Sequence, residues 1–156
     1  MANNRGKSFE TKFREDFKRT FPLGTIDRLY DPVGGYIGIS NISDFIGYDY
    51  PNIFYLECKS IEKNTFPFSN LKQYDKLLTK VGIKGVRAGV VIWFIDHDKV
   101  IYAPISTIKQ MKEDEKKSIH IIKDIDKYNL IQIPGIKKRV FMECDYSILK
   151  DLKEGE

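Results

Sequence analysis

The run AGVVIWFI, Ala88 to Ile95, constrains the fold more than any other stretch of the chain. It has no polar residue at alternate positions, so a strand made from it has no face to give to water and must be covered on both sides. It is also far too short to cross a bilayer, and no stretch approaches eighteen consecutive apolar residues. The covering layers must come from the rest of the chain. Phe9, Phe13, Phe17 and Phe21 recur at helical spacing between Ser8 and Phe21, with Pro22 and Gly24 closing the segment. A second helical run begins near Ser69, with Ser69 or Asn70 as N-cap, and aligns Leu71, Tyr74, Leu77, Leu78 and Val81 before Gly82. A charged helix spans Ile105 to Lys117, IHII is a short strand, and the tail is an irregular strand pair closed by a helix around Tyr146 to Leu152. The expected fold is α/β, a central mixed β-sheet flanked by helices. At 156 residues the chain is expected to form a single domain over 1–156.

The sheet has further strands on the N-terminal side. ISDFIGY and NIFYLECKS are separated by Asp49-Tyr50-Pro51-Asn52 and read as a hairpin. Before them, TIDRLYDPVGGYIGISN reads as strand, turn or loop, and strand, with Gly34 and Gly35 permitting a tight reversal.

Three acidic residues stand where solvation explains them poorly: Asp44 inside ISDFIG, Glu57 inside FYLECKS, and Glu10 beside the core residue Phe9. Glu57 and Lys59 are two residues apart on a strand and share one face, which is either water or an active site. An exposed salt bridge is the ordinary reading of that pair alone. If the two strands are hairpin neighbours, Asp44 and Glu57 lie close enough to share one divalent cation, with the Cys58 backbone carbonyl as a further oxygen ligand. Such hard ligands favour Mg²⁺ or Mn²⁺ over zinc. Lys59 would then orient or deprotonate the attacking water and offset charge in a phosphoryl transition state. The Cys58 thiol points to the opposite face, into the core.

The whole composition is compatible with that chemistry. A net charge of +4 tolerates a polyanionic partner without requiring one. Two cysteines, Cys58 and Cys144, form neither a disulfide framework nor a zinc spacing, which fits a reducing, cytoplasmic setting. With only His97 and His120, histidine nucleases and zinc hydrolases have too few ligands, and Asp96-His97-Asp98 reads as a turn between two strands. Neither a secretory h-region nor a membrane span is visible.

The pattern SDFIGYDYPNIFYLECKS resembles the active-site motif of the PD-(D/E)xK nuclease superfamily, and its context resembles the RecU-like Holliday junction resolvases. GKSFE (Gly6 to Glu10), SDFIG (Ser43 to Gly47), YLECK (Tyr55 to Lys59), TFPFSNLKQ (Thr65 to Gln73), AGVVIWF (Ala88 to Phe94) and the tail DYSILKDL (Asp145 to Leu152) match family segments in order. The resemblance implies a restriction-endonuclease-like fold, Asp44 and Glu57 as metal ligands, and Lys59 acting on the nucleophilic water. It further implies Glu10 as an accessory carboxylate, Gln73 as a helix residue facing the site, a Mg²⁺ or Mn²⁺ cofactor, and a homodimer that cuts two strands of a four-way DNA junction. It is similar in these respects to a compact phage-type member, acting in the cytoplasm of a bacterial or phage-infected cell. The segment before Asp44 is shorter than the stalk bacterial members insert, Ile42-Ser43 replaces paired threonines, and Lys72 stands where a histidine is usual. These departures bear on junction selectivity more than on nuclease chemistry.

Arg5, Lys7, Lys72, Lys80, Lys84 and Arg87 flank the site segments and are the expected phosphate contacts, while Lys137-Lys138-Arg139 reads as a solvated face. The loop carrying Tyr30, Gly34, Gly35 and Tyr36 is either a stalk remnant or a simple hairpin. The expected activity is metal-dependent resolution of four-way junctions by phosphodiester hydrolysis. A general PD-(D/E)xK endonuclease and a non-catalytic DNA-binding protein on the same fold are the alternatives.

Overall fold

In a computed structural model that describes residues 2–30 and 41–152, Val91 and Trp93 of the long apolar run enter one buried cluster and Val90, Ile92 and Phe94 another. That alternation is the physical meaning of the unbroken hydrophobicity: both faces of this strand are interior.

The elements in order are α1 (Ala2–Thr20), β1 (Thr25–Arg28), β2 (Phe45–Asp49), β3 (Asn52–Ile61), β4 (Thr65–Pro67), α2 (Tyr74–Leu78), β5 (Val86–Phe94), β6 (Lys99–Pro104), α3 (Ile105–Glu113), β7 (Ser118–His120), α4 (Asp124–Lys127), β8 (Ile131–Gln132), β9 (Gly135–Lys137) and β10 (Met142–Cys144). A six-stranded sheet runs in the order β1-β2-β3-β5-β6-β8. Its pairs are antiparallel except β3 with β5, which are parallel and therefore need the crossover that residues 62–85 supply. The expected mixed sheet flanked by helices is the one observed.

On one face, α1 lays Phe9, Phe13, Phe17 and Phe21 against Phe45, Phe54, Leu56, Trp93 and the C-terminal Tyr146. Each buried ring contributes roughly 1.5–3 kcal/mol through removal from water. The buried Asp16 fastens the same helix to β10 by accepting the Cys144 N–H at 2.9 Å, while Arg19 donates to its carboxylate at 2.9 Å. On the other face, Leu77 of α2, Ile108 and Met111 of α3, Phe66 of β4 and Ile119 of β7 cover Val90, Ile92, Ile101 and Ala103.

Several boundaries depart from the periodicity. The helix expected from Ser69 to Gly82 is a 3₁₀ turn over Phe68–Asn70 followed by the five-residue α2, and neither Ser69 nor Asn70 caps it. Leu71 between them has φ −99° and ψ 82°, a non-helical backbone that lets its side chain reach the core, so burial overrides the helical repeat. The tail helix is likewise a single 3₁₀ turn over Ser147–Lys150. Asp96-His97-Asp98 forms a turn, with Asp98 at φ 49° and His97 Nε2 2.6 Å from the Asn64 Oδ1. The loop around residues 31–40, expected as stalk remnant or hairpin, lies outside the described residues.

Candidate active site

The hairpin register decides which acidic groups meet. Phe45 pairs with Leu56, so Asp44, one step before β2, faces the backbone at Glu57 and Cys58 of β3. Its Oδ2 accepts the Cys58 N–H at 2.9 Å, and its own carbonyl accepts the Leu29 N–H at 2.7 Å. Asp44 is thereby fixed at the point where the β2–β3 pairing stops and β3 continues alongside β5. A residue in an extended strand sends its N–H and C=O to the same side, so the Cys58 carbonyl opens onto the side where Asp44 sits. The Cys58 thiol is buried in the α1-side cluster, opposite Glu57, and burial holds it well above its ordinary value.

Glu57 is the anomaly of the site. Its side chain is 1% exposed, and among the described residues neither carboxylate oxygen receives a hydrogen bond. Burying a charge without a partner is costly, and a group in this position retains its proton or finds a cation. Burial first, then the hydrogen-bonding proximity and charge of Asp44, push the Glu57 carboxyl up to about 9, against the opposing pull of Lys59. Two carboxylates have no donor between them, so the pair is satisfied either by a shared proton or by a bound cation. Lys59, 30% exposed, places Nζ 3.9 Å from Glu57 Oε2, too far for a hydrogen bond and close enough for charge attraction.

Glu10 projects from α1 toward the same charges. Its carboxyl is raised by burial and by Asp44, and lowered by Arg28. The group that links Glu10 to Asp44 is Arg28, which the sequence reading did not single out. Its Nε donates to Glu10 Oε2 at 3.0 Å, its Nη2 lies 3.4 Å from Asp44 Oδ1, and its Nη1 donates to the carbonyls of Leu29 and Asp44. The guanidinium also lies 5.2 Å from the Tyr30 ring centroid and 5.7 Å from that of Phe45. Only the β1–β2 register, which pairs Arg28 with Phe45, brings it here, and no motif spacing announces that register.

Gln73 stands at the start of α2, and its Oε1 is buried without a hydrogen-bond partner among the described residues. Among the described residues no group of three or more His, Cys, Asp or Glu forms a ready-made metal cage. Asp44 and Glu57 alone nonetheless suit an ion that keeps most of its waters, and the donorless buried oxygens of Glu57 are what such an ion would satisfy.

The expected phosphate contacts divide. Lys7, Lys72 and Lys84 are exposed, and Lys80 is half-buried, its Nζ 5.1 Å from the Tyr55 ring centroid. The side chain of Arg5 lies outside the described residues. Arg87 requires correction: it is 6% exposed and donates to the Leu152 carbonyl, so its guanidinium ties the C-terminal segment to β5 and is not presented to a surface ligand. In a strand covered on both faces, an arginine serves as an internal clasp.

Residues 17–145 match the family model of RecU, Recombination protein U. The chain belongs to the RecU family. The fold is also that of a solved structure from Archaeoglobus fulgidus, the Holliday junction resolvase Hjc of an archaeal hyperthermophile. The two share 15% identity at a TM-score of 0.55, over 74% of this chain and 88% of that one. The restriction-endonuclease-like architecture implied by the sequence motifs is therefore the fold of this RecU-family chain. No curated protein matches the chain.

Proposed function

We propose that this RecU-family nuclease resolves four-way DNA junctions by divalent-metal-dependent phosphodiester hydrolysis, as one nuclease domain working in a homodimer. The observation that carries the reading is Glu57: a buried carboxylate with two donorless oxygens, beside Asp44 and Lys59, in a RecU-family chain. Asp44 and Glu57 would hold Mg²⁺ or Mn²⁺, with the Cys58 carbonyl as a third oxygen and Glu10 as an accessory carboxylate. The cation supplies a lowered pKa to the attacking water and charge neutralisation at the leaving oxygen.

The chain's own groups do the rest. Asp44 is oriented by the Cys58 amide through Oδ2, which leaves Oδ1, paired with Arg28 in this structure, as the oxygen that would face the ligand. Lys59, tethered by charge to Glu57 yet partly open to solvent, would orient the nucleophilic water and face the scissile phosphate. Gln73, at the N-cap of α2, would turn its buried amide toward the site. Exposed Lys7, Lys72 and Lys84, with Lys80 and Arg5, would hold flanking phosphates and set affinity and its salt dependence. The setting proposed is the cytoplasm of a bacterial or phage-infected cell.

End-labelled synthetic four-way junctions and matched linear duplexes, incubated with Mg²⁺ or EDTA, test the reading. Paired symmetrical nicks confined to the junction, metal-dependent and lost in Asp44→Asn, are the expected result. Equal cutting of the duplex would make the protein a general endonuclease, and junction binding without cutting would make it a non-catalytic DNA binder.

A further inference from the structure

Arg28 is a positive charge at the place where a divalent cation would sit most comfortably. It is bonded to Glu10 and Asp44; partial burial works against its charge, but Asp44, Glu10 and Glu57 together outweigh that burial. Two cations cannot share that space without cost, since the guanidinium repels any ion that enters beside it and occupies the carboxylate oxygens the ion would use. Removal of Arg28 from the carboxylates is therefore linked to metal entry.

The structure also offers the guanidinium somewhere else to go. A cavity of about 490 Å³ opens beside it, lined by Lys7, Glu10, Thr11, Arg14, Arg28 and Tyr30 among others. Lys7, Arg14 and Arg28 are cationic, and the Arg14 Nε is buried with no hydrogen-bond partner among the described residues. Tyr30 is 74% exposed, so an aromatic face is available at the rim. A cationic, partly aromatic cavity next to a carboxylate site suits a nucleotide phosphate of a DNA strand.

We propose that Arg28 is an exchangeable counter-ion: it neutralises Glu10 and Asp44 in the metal-free protein and is drawn to a DNA phosphate in the adjoining cavity when a divalent cation binds. The proposal rests on the metal site assigned above. Its consequence is cooperativity between the two ligands. DNA that engages Arg28 removes the repulsion and tightens metal binding, and by linkage the metal tightens DNA binding by the same factor.

Mn²⁺ binding, followed by electron paramagnetic resonance of the free ion, tests this without reference to cleavage. Arg28→Met is expected to bind Mn²⁺ about tenfold more tightly than wild type in the absence of DNA, because the competing charge is gone. Arg28→Lys, which keeps the charge, is expected within about threefold of wild type. A short single-stranded oligonucleotide should tighten Mn²⁺ binding in wild type and leave Arg28→Met unchanged. Should Arg28→Met fail to fold, Arg28→Gln, which retains a donor for Glu10, carries the same comparison. Equal Mn²⁺ affinities in wild type and the neutral variants would overturn the counter-ion role while leaving the metal site intact. Absence of Mn²⁺ binding in every protein, checked against Asp44→Asn, would overturn the metal site and the counter-ion role with it.

Discussion

Replacing Glu57 by glutamine should stabilise the metal-free protein, and by an amount that depends on pH in a defined direction. The Glu57 carboxyl is raised from 4.5 to about 9 by burial and by Asp44. Between those values the folded chain holds a proton that the unfolded chain releases, so the stability present below 4.5 is lost progressively as pH rises toward about 9. At about 1.4 kcal/mol per pH unit, the roughly three units from 4.5 to pH 7.5 correspond to about 4 kcal/mol. The glutamine introduced by Glu57→Gln has the same shape, no proton to release, and an amide that can donate to Asp44, so the variant escapes this loss. Urea unfolding in EDTA, with both proteins measured across this range, should show a small difference near pH 4.5 that grows toward about 4 kcal/mol at pH 7.5. Titrating groups away from Glu57 are common to both chains and cancel in the comparison. A difference that does not change with pH, or a glutamine variant that is the less stable at pH 7.5, would refute the view of Glu57 as a buried group awaiting a cation.

Lys59→Ala is expected to slow junction cleavage by about a hundredfold or more, the range of a positioned acid–base group, while gel-shift affinity for the junction changes by less than about threefold. A proportionate loss of binding would instead make Lys59 a phosphate anchor. Asp16→Ala should cost about 2–4 kcal/mol in denaturant unfolding, since it leaves the buried Cys144 amide without its acceptor and Arg19 without its carboxylate partner on α1, with Mn²⁺ affinity unchanged.

How legible these features were in the sequence depended on whether they were local. The Phe9 to Phe21 stripe, the apolar run from Ala88 and the hairpin around Tyr50 and Pro51 each follow from a period or a turn read within one segment, and the structure has all three. Asp44 and Glu57 were visible as neighbours because a short hairpin sets their register. The Ser69 helix failed because a run of apolar residues at helical spacing does not reveal that Leu71 leaves the helix to fill the core. Arg87 misled for a related reason: a cationic residue beside lysines reads as surface, and only the docking of Leu152 shows it enclosed. Arg28 was silent altogether. Its role depends on β1 pairing with β2 across a segment whose length the sequence does not restrict, and on a helix placing Glu10 above that pair.

The unequal length of the strands beside β3 has a consequence for solubility. β2 pairs only as far as Leu56, whereas pairing with β5 continues to Ile61, so among the described residues the backbone from Glu57 to Ile61 is strand-paired on one side. This is a stretch of open edge set in the interior of a sheet, with the Cys58 amide shielded by Asp44. Unpaired edges recruit foreign strands, and an inward charge is one of the devices that prevents it. Glu57 and Lys59 lie on that overhang. Substituting both by apolar residues of good strand propensity would therefore do more than silence the site: it would turn this notch into a template for self-association.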